Sequence, residues 1–226
     1  MTALTWLSHG SWLIESGNHR VLLDPFLTDN PAATIGADDL HSIGHILLSH
    51  GHFDHVADAA SIAKREAATV VASFEIAQWI SQQGVESTVG MNLGGAVDLP
   101  FGTVKMIPAL HSNSLPDGSY GGDPAGFLLT MEGKRIYFAC DTALFSDMRL
   151  HAHGVDLAIL PIGDLFTMGI DDSVRATQLI EPSTVLPAHY NTWPPIEQVA
   201  KAWAERIANE TQARPVVLAV GESHTL

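Results

Sequence analysis

Cysteine occurs once in the 226 residues, at Cys140, so no intrachain disulfide can staple the chain. Basic residues are scarce as well: 11 Lys and Arg face 25 Asp and Glu, and the net charge of −14 repels polyanions at long range. Nucleic acid is therefore not an expected partner. No apolar run reaches the roughly 20 residues that span a bilayer, and the opening "MTALTWLSHGSW" lacks the basic start and long apolar stretch of a signal peptide. A cytoplasmic protein with no membrane contact is expected. Clear internal repeats, low-complexity tracts and linkers are absent too, which leaves one domain over 1–226.

What is abundant is apolar: 46% of residues are hydrophobic and only 16% charged, which excludes a disordered chain and suits a packed α/β core. Short runs of Val, Ile and Leu, each closed by Gly, Pro, Asp or His, predict buried strands at 4–7, 11–15, 20–23, 45–49, 69–72, 103–108, 125–131, 135–139, 157–161, 184–187 and 216–220. Helical patterns fall at 58–67, 74–83, 171–180 and 196–209. The last places Ile196, Val199, Ala200, Trp203 and Ile207 on one stripe, suited to packing on a sheet. Strands dominate the first half as hairpin-like pairs, and helices alternate with strands in the second. That order predicts sheets covered by helices. The stretch "HSNSLPDGSYGGDPAG" (111–126) reads as a long turn-rich loop, and long loops in compact domains tend to be functional.

The segment "LLSHGHFDHVAD" (47–58) follows an apolar run and packs His50, His52, Asp54 and His55 into six positions. Imidazoles grouped with a carboxylate are a donor set for a transition metal. Three more polar residues end predicted strands: His111, Asp141 and His189. Either histidine alone is better read as a packed core residue. If the strands lie side by side, however, their ends converge on one edge, and seven donors share a site. Three imidazoles, His50, His52 and His111, suit one ion; Asp54, His55 and His189 suit a second; Asp141 suits a bridge. Two ions so placed lower the pKa of a bridging water, yielding a hydroxide nucleophile, and polarise a substrate oxygen. Histidine and carboxylate donors fit two divalent ions, zinc first, with manganese, iron or nickel as alternatives.

"HGHFDH" matches the H-x-H-x-D-H signature of metallo-β-lactamase-fold hydrolases, and His111, Asp141 and His189 follow in that superfamily's order. The resemblance assigns His50, His52 and His111 to the first metal, Asp54, His55 and His189 to the second, and Asp141 to both. It likens Asp24 in "VLLDPF" to the early strand-end aspartate that supports the site from behind its ligands. More narrowly, "LSHGSWLIES", "LLDPFLTDNP", "VASFEIAQWI", "GMNLGGAV", "YGGDPAGF", "DTALFSDM", "PIGDLFTMG" and "LPAHYNTWP" resemble the UPF0173 group of metal-dependent hydrolases, related to lactonases that open ascorbate 6-phosphate. The fold this implies is a four-layer αββα sandwich with the metals at one edge of the two sheets. Cys140 stands where the pattern leads one to expect glycine, Leu165 where it leads one to expect asparagine, and "LHAHGVD" looks shortened.

The expected function is metal-dependent hydrolysis of a small-molecule ester, lactone or phosphoester by a metal-bridging hydroxide. Asp54 doubles as a ligand and as a base for the attacking water. His9, in the turn that the resemblance sets beside the metals, is a candidate for substrate contact or oxyanion stabilisation. Asp164, Thr167, Met168 and Asn191 are candidates for the site wall, with Phe166 and Met168 equally suited to capping the core. The alternatives are a nuclease of the same superfamily, which the shortage of Lys and Arg disfavours, and a non-catalytic metal-binding or sensory module, which a donor set leaving open positions disfavours.

Overall fold

Apolar side chains along the early strands alternate between two destinations, and that alternation sets the layers. The structure, a computed structural model, describes residues 1–226. Strands β1 (Thr2–Ser8), β2 (Ser11–Ser16), β3 (His19–Leu23), β4 (His45–Leu47), β5 (Thr69–Ser73) and β6 (Thr88–Met91) belong to one seven-stranded sheet. On one face Trp12, Ile14, Val21, Leu23, Leu47 and Val71 enter the large central core. On the other, Leu13, Leu22, Ile46 and Val70 pack in a smaller core with Ile62 and Ala63 of α2 (Ala59–Glu66) and Ile76 and Ile80 of α3 (Phe74–Gln82). Both faces being buried, these strands carry almost continuous apolar runs.

The second sheet holds β7 (Ala96–Leu99), β8 (Gly102–Pro108), β9 (Ala125–Met131), β10 (Lys134–Phe138), β11 (Leu157–Pro161), β12 (Thr184–Ala188) and β13 (Arg214–Pro215). Its inner face meets the first sheet, and its outer face is covered by α4 (Met148–Ala152), α5 (Ile170–Ile180) and α6 (Ala200–Glu210), whose Met148, Val174, Ile180, Trp203 and Ile207 join the central core. A final strand, β14 (Ser223–Thr225), pairs antiparallel with β1 in the first sheet. The layers run helix, sheet, sheet, helix: the αββα sandwich expected. No helix is long and apolar enough to cross a membrane.

Three local expectations are corrected. Residues 216–220 form no strand but carry the chain from β13, on the edge of one sheet, to β14, on the edge of the other; their side chains alternate between partly buried and exposed. Helix α6 starts at Ala200 rather than 196: Ile196 ends a short 3₁₀ turn begun at Pro194, Glu197 is extended, and Val199 is 66% exposed. In the first half, β3 to β6 run parallel, and hairpins are confined to β1–β3 and to β7 with β8.

The topology fixes where the strands end. Strand β8 is antiparallel to β9, which is antiparallel to β10, while β10, β11 and β12 are parallel. The C-terminal ends of β8, β10 and β12 therefore share one edge. In the facing sheet, β3 and β4 are parallel and end together.

Candidate metal centre

Each of the sequence-read donors sits just past one of these ends. His50 lies three residues after β4; His52, Asp54 and His55 occupy the cap and first turn of α1 (Phe53–Val56). His111 follows β8, Asp141 follows β10 and His189 directly follows β12. Several connecting residues take the left-handed conformation that non-glycine residues adopt reluctantly: Ser8 (φ 102°), His9 (51°), Asp24 (45°), Cys140 (54°) and His189 (54°). Such strain costs on the order of 1–3 kcal/mol each and gathers at functional sites. It also explains why glycine was expected at Cys140 and asparagine at Leu165 (φ 38°), since both residues tolerate this region.

The donors converge on Asp141. Its Oδ2 lies 3.0 Å from His189 Nε2, 3.4 Å from His55 Nε2, 3.6 Å from His111 Nε2 and 4.0 Å from His50 Nε2. The donor atoms form three groups small enough for single ions: His50, His52 and His111; Asp54, His55 and His189 together with His9; and, behind these, Asp24 with His50 and His55. His50 Nε2 and His52 Nδ1 are 3.0 Å apart, close to the roughly 3.3 Å separating two nitrogens on one tetrahedral ion. The remaining six histidines lie outside these groups.

Asp24 sets the orientation of one histidine in each of the first two groups. Its Oδ2 accepts from His55 Nδ1 (2.9 Å) and from the Ser49 hydroxyl (2.5 Å), and Oδ1 accepts from the Ser49 backbone N–H (2.8 Å). With its proton committed to Asp24, the Ser49 hydroxyl accepts from His50 Nδ1 at 3.0 Å. Both imidazoles thus turn Nε2 toward Asp141, the arrangement that a carboxylate behind a ligating histidine produces. Sequence reasoning placed Asp24 here but missed Ser49, whose serine next to the H-x-H motif was the available signal.

His9 corrects an expectation. It is wholly buried, and both ring nitrogens are engaged: Nε2 donates to Asp54 Oδ2 (3.0 Å) while Nδ1 accepts from the Thr192 hydroxyl (2.8 Å). It does not line the cavity, and its N–H orients Asp54. Its carbonyl accepts from the His189 backbone N–H (3.0 Å) and from Trp6 Nε1 (3.0 Å), so the β1–β2 turn also holds the strand end bearing His189. Thr192 was missed, because a threonine alone gives no sequence signal. Asn113 was missed too: its Oδ1 accepts from Gly51 N–H at 2.6 Å, tying the long loop to the H-G-H segment, where a Cβ on Gly51 would sit 2.8 Å from Leu115.

None of the wall candidates lines the cavity: Met168 is buried in the core and Asp164 and Thr167 lie outside the lining, whereas Phe166, read as suited to capping the core, lines it. Asn191 instead accepts from the Gln198 backbone N–H. Burial pushes the Cys140 thiol well up, which suits a packing residue rather than a thiolate.

Electrostatics favour cations at the centre. Burial lowers His50 well below the usual imidazole value, helped by nearby His55, so it stays neutral, the ligating form. Burial pushes His9 down to about 3, aided by His189 and opposed by the Asp54 hydrogen bond. Burial works against charge on His55 as well, yet Asp141 and Asp24 outweigh it and raise this group well above its ordinary value. Burial likewise disfavours ionised Asp141 and Asp54; His189 and His55 nonetheless hold Asp141 well below the carboxylate range, and His9 and His55 hold Asp54 low.

The donor set fits a metal on the structure's own terms. His55 Nε2, His189 Nδ1 and Nε2, and Asp141 Oδ1 are buried without a hydrogen-bond partner. Buried polar atoms are normally paired, and unpaired ones cost about 1–3 kcal/mol each. A cation between them satisfies the Nε2 and carboxylate atoms that face one another.

A beta-lactamase superfamily domain model matches residues 19–190. A UPF0173 metal-dependent hydrolase of Thermus thermophilus is 47% identical over 207 residues, covering 91% of each chain. Another, from Heliobacterium modesticaldum, is 42% identical over 235 residues, covering 100% of this chain and 98% of the relative. Among solved structures, Igni18, a metallo hydrolase from the hyperthermophilic archaeon Ignicoccus hospitalis, superposes with a TM-score of 0.90 at 30% identity, covering 99% of this chain and 97% of its own.

Proposed function

The chain belongs to the beta-lactamase superfamily, among the UPF0173 metal-dependent hydrolases, and from that premise we propose that it cleaves a small-molecule ester, lactone or phosphoester at a two-ion centre. The observation that carries this reading is the position of Asp141 Oδ2, within 4.0 Å of imidazole nitrogens from the first two donor groups. His50, His52 and His111 would hold one ion, Asp54, His55 and His189 the other, and Asp141 both. Zinc is the first candidate, with manganese, iron and nickel also suited to imidazole and carboxylate donors. Bound divalent ions supply an activated water near neutral pH and polarise the substrate oxygen.

The chain's own residues provide placement and proton handling. Asp54 lines the cavity and is held ionised, the form that can ligate a cation and accept a hydrogen bond from the attacking water. The Thr192 hydroxyl fixes the His9 tautomer, and His9 N–H fixes the Asp54 oxygen that it meets. Asp24 and Ser49 keep the imidazoles of His50 and His55 aimed inward. A cytoplasmic location belongs to the same proposal, supported by the single cysteine, as does a small-molecule partner, supported by the net charge of −14, which disfavours polyanions.

The test is hydrolysis of activated aryl esters and phosphodiesters by the metal-loaded protein beside Asp54→Asn. We expect turnover in the parent and a loss of about 100-fold or more in the variant. Stoichiometric metal without turnover of any ester or phosphodiester would favour a sensory role instead.

A further inference from the structure

The cavity above the donors has a volume of about 690 Å³, within the range of small-molecule sites. Its walls are apolar and come from four separate segments. Phe53 opens α1; Leu115 and Pro116 belong to the long loop after β8; Phe166 follows β11; Trp193 follows β12. Phe53 and Trp193 pack with Phe26 at ring separations of 5.8 to 6.1 Å, forming an aromatic wall beside Asp54. Two of these side chains are held toward water: Phe53 is 58% and Phe166 53% exposed. Large apolar groups left open around a polar floor mark a binding surface.

The chemistry missing from the walls is equally informative. Of the 11 Lys and Arg residues, none lines the cavity, and its polar groups outside the donors are the hydroxyls of Ser112 and Ser114. Ser112 lies 3.2 Å from His52 Nε2. A cation centre can accept one oxyanion at the reacting bond. A second anionic group elsewhere on the substrate would meet aromatic faces in a chain of net charge −14, with no guanidinium or ammonium to compensate it.

We infer that the substrate is an uncharged ester or lactone bearing an aryl or short alkyl group beside the scissile bond, with no phosphate on its distal part. This rests on the hydrolytic reading above and selects within it. In the reaction the water oxygen bonds to the carbonyl carbon, the bond from that carbon to the alcohol oxygen breaks, and the alcohol leaves with one proton. The acid product releases the other proton at neutral pH. Trp193 and Phe53 are the specificity-determining side chains.

The experiment uses metal-loaded protein and two acetates that differ only in the distal group, 2-phenylethyl acetate and 2-acetoxyethyl phosphate. We expect kcat/KM for the phenyl ester to exceed that for the phosphate by about 100-fold, and Trp193→Ala to narrow the ratio about tenfold, chiefly through KM. Binding of the corresponding alcohols, 2-phenylethanol and 2-hydroxyethyl phosphate, is measured separately by saturation-transfer NMR on parent and variant. Selective binding of 2-phenylethanol that Trp193→Ala abolishes, with neither these acetates nor the activated esters and phosphodiesters cleaved, supports the apolar subsite while removing the hydrolytic reading. Equal or better turnover of the phosphate ester overturns the inference and leaves hydrolysis standing.

Discussion

The trio of His50, His52 and His111 and the trio of Asp54, His55 and His189 meet at Asp141, but what stands behind them differs. In the second, Asp24 stands behind His55 and His9 and then Thr192 behind Asp54, while His189 is held through its backbone by the His9 carbonyl. In the first, only His50 has such support, through Ser49; His52 and His111 are partly open to the cavity, and the partner of His52 Nε2 is the exposed hydroxyl of Ser112. One position is preorganised by the fold, while the other leaves part of its geometry to the ion. Supporting residues that lock ligand rotamers are what separate a precise site from a loose one.

The largest expected effect comes from Asp24, which supports His55 directly and His50 through Ser49. Asp24→Ala strips acceptors from Ser49 N–H, the Ser49 hydroxyl and His55 Nδ1, all buried. A loss of about 3 kcal/mol or more is expected from the urea unfolding midpoint, because several buried polar groups lose partners at once. A loss under about 1 kcal/mol would mean that the support is incidental.

A matched pair of hydroxyl deletions separates the trios. Thr192→Val keeps the shape but leaves His9 Nδ1 buried and unpaired, at an expected cost of about 1–3 kcal/mol. Ser112→Ala removes the exposed partner of His52 and should fall within about 0.5 kcal/mol of the parent. Equal effects in thermal unfolding would erase the distinction. The smallest change is expected at the rim: Leu165, 67% exposed at φ 38°, becomes easier to hold as asparagine, so Leu165→Asn should gain about 0.5 kcal/mol in the same measurement.

These differences also explain what the sequence made visible. The donors were legible because histidine and aspartate at strand ends are chemically distinctive, and the buried strands because their apolar runs are nearly continuous. Several short elements escaped, among them α1, α4, β13 and β14, and two did so for clear local reasons. In β6, Gly90 interrupts the pattern where a Cβ would press on Phe74 at 3.1–3.2 Å, and β7 is a four-residue edge strand with alternating exposure. Conversely, 216–220 has strand composition but runs between the edges of the two sheets, a fact of tertiary geometry that composition does not encode. The supporting shell was the least legible part. Ser49, Thr192 and Asn113 act through one oxygen each, brought into place by partners up to 183 positions away in the chain.

The central claim is that Asp141 joins two metal positions. Elemental mass spectrometry on protein purified without added metal, then after reconstitution with zinc or manganese, tests it beside Asp141→Ala. About two ions per chain are expected in the parent, with the variant holding clearly fewer at the same free metal. A parent that takes up no metal, or a variant that retains the full complement, would contradict the account.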